Sequence, residues 1–117
     1  MFGFGRKRPK QSRNDAVRKA LLREGDDGTR PRHVIHFAEP VDKGGAAAKH
    51  EIRRILTGIA NVRFTDVPEN PGVVFEQTRE VASGEFDALT DHFESLLSAR
   101  GWNYGGWECA VEAGDPK

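Results

Sequence analysis

The sequence predicts an α+β domain: a four-stranded antiparallel sheet with two helices on one face, preceded by an extra helix. Three observations predict it. Beyond residue 32 the apolar pattern runs strand, helix, strand, strand, helix, strand. Each of the two helical stretches carries a single apolar stripe and so needs a sheet to bury it. Gly-, Pro- and Asp-rich segments separate these stretches where turns are required. A chain of 117 residues fills one domain and has too little apolar material for two.

Residues 1–13 combine glycines, a proline and clustered positive charge with almost no apolar periodicity. They are expected to form a disordered basic arm. Residues 14–117 are read as a single domain, with the extra helix over 14–25 and a βαββαβ core over 33–112. Asn14 or Asp15 stands where a cap belongs, Val17, Ala20 and Leu21 share a face, and Gly25 occupies the position of a helix-ending glycine. DDGTRPR at 26–32 is turn material, and its Asp26-Asp27-Gly28 start lacks the later ligands of a calcium loop.

HVIHFA at 33–38 is short, β-branched and aromatic, a first strand. Asp42 can cap a helix over 43–57 whose stripe is Ala48, Ile52, Ile55, Leu56 and Ile59. NVRFTDV at 61–67 alternates as a second strand, PENPG at 68–72 breaks it, and 72–81 supplies a third with Val73 and Phe75 on one face. Ser83 caps the clearest helix, striped by Phe86, Leu89, Phe93, Leu96 and Leu97 and stopped by Gly101. Residues 102–112 form a last strand in which Trp107, Cys109 and Val111 alternate with Glu108, Ala110 and Glu112. Right-handed crossovers turn this order into a ferredoxin-like sandwich with the second and fourth strands at its edges.

Net charge is zero, yet residues 1–32 carry ten Lys/Arg against four Asp/Glu while residues 33–117 carry eight against fourteen. A basic arm (Arg6, Lys7, Arg8, Lys10, Arg13) thus precedes an acidic body. The arm can contact phosphates, fold back on its own domain, or remain a solvated tail. No apolar run approaches a membrane span, and the basic start is not followed by the apolar stretch of a secretory signal. The lone Cys109 has no disulfide partner and suits a reducing, cytoplasmic compartment.

Catalytic and metal-binding patterns are absent. His33 and His36 are three apart on a strand and face opposite ways, so they cannot share an ion; all four histidines are read as surface residues. Cys109 reads as a small buried hydrophobe. No phosphate-binding loop, dinucleotide fingerprint or nucleophile elbow occurs. No catalytic residue, metal or cofactor is expected. The element order is shared with RNA-recognition domains, but the third strand offers only Phe75 for stacking beside Glu76 and Glu80, so direct RNA binding should be weak or absent.

Three stretches resemble the bacterial regulator of ribonuclease E activity B family, small protein inhibitors of that endonuclease. They are LLREGDDGTRPRHVIHF at 21–37, the Phe86/Leu89/Phe93/Leu96 helix, and YGGW at 104–107 with the alternating strand that runs on to Val111-Glu112. Gly105 stands where the family commonly has Asp, and a basic arm at the start replaces a long acidic tail at the end. The resemblance implies a ferredoxin-like fold and a non-enzymatic protein that binds the basic scaffold region of ribonuclease E. Glu108, Glu112, Glu76, Glu80 and Trp102 are the expected partner contacts, with Trp102 partly exposed. Tyr104, Gly105, Gly106 and Trp107 mark the family; their aromatics either support the core around a glycine bulge or touch the partner. The rival function is a nucleic-acid- or ribosome-associated protein that binds phosphates through Arg6, Lys7, Arg8, Lys10 and Arg13. Either way the chain is expected to be a monomer or a weak dimer.

Overall fold

The computed structural model describes residues 10–42, 48–59, 63–65 and 72–112. Among these residues three helices, α1 (Lys10–Arg23), α2 (Lys49–Ile59) and α3 (Gly84–Ser98), accompany four strands. The strands are β1 (Arg32–Pro40), β2 (Arg63–Thr65), β3 (Val73–Arg79) and β4 (Trp102–Cys109). They form one antiparallel sheet in the order β2-β3-β1-β4. The edges are therefore the two strands that the sequence placed there.

Local signals set the helix ends. Gly25 and Gly101 both adopt positive φ, a conformation in which other residues are strained. After α1, Asp26 N–H reaches Leu21 O and Gly25 N–H reaches Leu22 O, so these two carbonyls of the last turn are satisfied. Ser83 caps α3, its Oγ accepting from Phe86 N–H at 3.1 Å.

Three boundaries move. Helix α1 begins at Lys10, not at residue 14, because the Asn14 side chain turns inward to other side chains and caps nothing. Residues 10–13, assigned to the arm by sequence, are therefore helical. Strand β4 stops at Cys109, because Arg32 takes the Ala110 carbonyl and Asp26 takes the Glu112 N–H. Helix α2 is described from Lys49; residues 43–47, where the sequence began it, lie outside the described residues, as do 61–62 and 66–71 around β2.

Alternation divides the sheet into two faces. Val34, His36 and Ala38 of β1, Val73 and Phe75 of β3, and Trp102 and Tyr104 of β4 are buried and face the helices. Phe93 and Leu97 of α3 and Ile52 and Leu56 of α2 join this cluster. A second cluster, Leu21, Val34, Val81 and Phe86, receives Val17 of α1. The three described helices thus lie on one side. The pairing register of β1 with β4 shifts between Phe37 and Ala38: Phe37 faces Gly106 and Ala38 faces Tyr104, so Gly105 is an extra residue. This bulge lets Tyr104 and Trp107, an odd number apart, point to the same side. Among the described residues no helix is long and apolar enough to cross a membrane.

Candidate functional site

Polar groups are concentrated beneath β4, where the sequence led us to expect chiefly apolar packing. His36 is fully buried, a correction to its reading as a surface residue. The local pattern carried the signal, since His36 shares its parity with Val34 and Ala38. Its ring stacks on Phe75 at 4.9 Å and meets Phe93 edge-on at 5.1 Å. Gln77 Oε1 lies 2.8 Å from Nε2 and the Tyr104 hydroxyl 2.7 Å from Nδ1. Because the amide oxygen can only accept, Nε2 carries the proton and Nδ1 accepts from Tyr104.

Burial disfavours the imidazolium and lowers the His36 pKa from 6.5 to about 4, with the Arg79 charge acting the same way and the Gln77 bond opposing. Burial also holds the Tyr104 phenol well above its ordinary value. A folded-state pKa below the unfolded one means that stability is full above about pH 6.5 and is lost as pH falls toward 4. The loss amounts to roughly 3 kcal/mol. We expect the His36 ring protons to titrate near 4 by NMR, and His36→Gln to flatten urea-melt stability between pH 6.5 and 4. A midpoint near 6.5 would mean an open, hydrated ring.

A second polar group ties α1 to α3 and β4. Asn14 Nδ2 donates to Asp87 Oδ1 at 2.8 Å and to Thr90 Oγ1 at 3.1 Å, while its Oδ1 accepts from the Trp107 indole at 2.8 Å. Arg18 pairs with Asp87 at 2.7 Å and donates to the carbonyls of Val81 and Ser83. The sequence offered Asn14 only as a cap, and nothing local distinguishes the two roles. The third group is the Asp26–Arg32 ion pair, with both side chains fully buried. Asp26 also accepts from Gly28 N–H and Glu112 N–H, and its carboxyl is held far below the usual range, chiefly by the Arg32 guanidinium.

The expected partner contacts divide. Glu108 is exposed on the sheet face opposite the helices, and Glu112 is exposed beyond β4. Glu76 is half-buried on that same face and accepts from His33 at 2.6 Å and Arg63 at 3.2 Å. Glu80 serves the fold: its carboxylate accepts from Ala82 N–H, Ser83 N–H and Ser83 Oγ and pairs with Arg79 at 2.7 Å. Burial pushes its pKa up, but these bonds outweigh it and leave it lowered. Trp102 corrects the expectation of partial exposure: it is 1% exposed, because its register opposite Pro40 aims it into the core. Tyr104 is buried and Trp107 half-buried, so the aromatics of YGGW chiefly hold the domain together.

Of the basic arm, Arg13 pairs with Glu94 at 3.2 Å and Lys10 opens α1; Arg6, Lys7 and Arg8 lie outside the described residues. Arg13 and Glu94 wall a groove of about 470 Å³ along the β4 edge, with Tyr104 and Gly105 also lining it. Cys109 is half-buried, and burial raises its thiol pKa against the opposing Arg32 charge, which disfavours the nucleophilic thiolate. Among the described residues no group of three or more His, Cys, Asp or Glu is placed to hold a metal. No protein-family model matches the chain, and no curated protein matches it.

Proposed function

We propose that the chain is a non-enzymatic cytoplasmic regulator that binds ribonuclease E, through the basic scaffold region of that enzyme, and slows RNA cleavage. The observation that carries this reading is that two of the sequence stretches resembling the regulator family meet in space. Residues 21–37 and 104–112 are joined by the β1–β4 ladder, the His36–Tyr104 bond and the bond from Glu112 N–H to Asp26. The resemblance therefore covers residues that build one another's environment.

The strand order supports the same reading. Taken from the other edge, β2-β3-β1-β4 is 4-1-3-2 with every neighbour antiparallel, and the helices share one face. We assign this to the ferredoxin-like arrangement that the resemblance implies. The exposed Glu108 and Glu112 give the β4 end an acidic character suited to a basic, extended partner.

The test is an RNA cleavage assay with purified ribonuclease E at about 0.1 M salt, where surface charge still acts. The protein should bind the enzyme and slow cleavage, and Glu108→Lys should weaken both without altering the melt. If a large excess neither binds nor slows cleavage, the reading fails.

A further inference from the structure

The sheet face opposite the helices has a definite pattern. Register places Arg63, Glu76, Ile35 and Glu108 in one row across β2, β3, β1 and β4. The next row holds Val74, Phe37 and Gly106, and Glu39 lies beyond it opposite Asn103. Ile35, Phe37 and Val74 are half-buried and belong to neither core cluster, so they form an apolar strip that no described helix covers. Glu39 and Glu108 are exposed and make no ion pair among the described residues. The bulge keeps the strip open: a side chain at Gly105 would meet Phe37 at 3.4 Å and Glu39 at 3.3 Å.

The chain carries a segment with the complementary pattern. Residues 1–9 read MFGFGRKRP. In an extended chain alternate residues share a side, which puts Phe2, Phe4, Arg6 and Arg8 together and Gly3, Gly5 and Lys7 opposite. Two aromatics followed by two guanidinium groups match an apolar strip bordered by free carboxylates. The point of departure also fits. Helix α1 starts at Lys10, and Arg13, one turn on, lines the same groove as Tyr104 and Gly105 at the β4 edge. Nine residues span roughly 30 Å, whereas crossing from β4 to β3 is about 10 Å.

We propose that residues 2–8 lie across the uncovered face of their own sheet, Phe2 and Phe4 on the Ile35–Phe37–Val74 strip and Arg6 and Arg8 against Glu39 and Glu108. The arm then shields the strip and neutralises part of the acidic face, so a basic partner meets a site occupied by the protein's own cations. This inference stands whether or not that partner is ribonuclease E.

The test uses the full chain. Amide NMR spectra are compared for the wild type, Phe2→Ala/Phe4→Ala and Arg6→Glu/Arg8→Glu, at about 0.05 M and about 0.5 M salt and over a tenfold range of protein concentration. All four substituted residues precede α1, and urea melts check that each variant keeps the fold. Both variants should shift the amides of Ile35, Phe37, Val74, Gly106 and Glu108, and salt should move the wild-type signals toward those of the Arg variant. Unchanged signals on this face overturn the proposal. Shifts that grow with protein concentration overturn it too, because they place the arm on a second copy.

Discussion

Replacing Trp102 with alanine should destabilise the domain by about 4 kcal/mol, the cost of deleting a fully buried indole and leaving a cavity behind. Trp102 is the largest fully buried side chain and lies in one cluster with Phe93, Leu97 and Tyr104. The surrounding β4 backbone is held by its ladder to β1, so collapse into the space is restricted. Urea melts followed by circular dichroism provide the measurement. A residue used for partner contact would behave differently, with an unchanged melt and weakened binding. A loss under about 1 kcal/mol would place Trp102 at the surface and contradict the packing described.

Asp26→Asn should cost about 3 kcal/mol at neutral pH, because it leaves the buried Arg32 guanidinium without its counter-charge. The figure is at the low end for a broken buried pair, since Arg32 keeps its bonds to the Arg30 and Ala110 carbonyls. The effect has a characteristic pH dependence. The Asp26 carboxyl is depressed in the folded state, so its contribution is full above about pH 4 and disappears as pH falls below that value. Wild-type and Asp26→Asn stabilities should therefore differ at pH 7 and converge in strong acid. This window lies below the one in which His36 titrates, so the two groups can be separated. A constant gap down to pH 2 would mean that ionisation of Asp26 is not what stabilises the folded state.

Much of the architecture was legible from short-range pattern, and the misses have a common cause. Alternation in 33–38 and 72–79 and the stripe after Ser83 are properties of the chain itself, and each became the expected element. The glycine bulge was legible too, because an aromatic pair three apart around two glycines needs an extra residue to share a face. The inward roles of Asn14, Asp26, Arg32 and Glu80 were not legible because polar residues near turns look alike whether they face water or each other. Asp26 is buried only because Arg32, six residues on, and Glu112 at the far end of the domain converge on it. Trp102 opens its strand directly after a helix-ending glycine, where alternation does not fix a side; its inward direction is set by pairing with Pro40 on a distant strand. The candidate contact surface was legible only in part, since Glu108 and Glu112 are exposed whereas Glu80 is committed to the Ser83 cap.

The extra residue in β4 has one more consequence, for how the protein behaves at high concentration. Two residues, Gly105 and Gly106, share one step of the ladder, so losing either glycine would leave Tyr104 and Trp107 facing inward as before. What would change is the straightness of an outermost strand, whose unpaired amides and carbonyls would then present an even row for another chain to extend. An irregular edge of this kind is a poorer template, so it disfavours pairing between copies of the protein along the side where its own sheet ends.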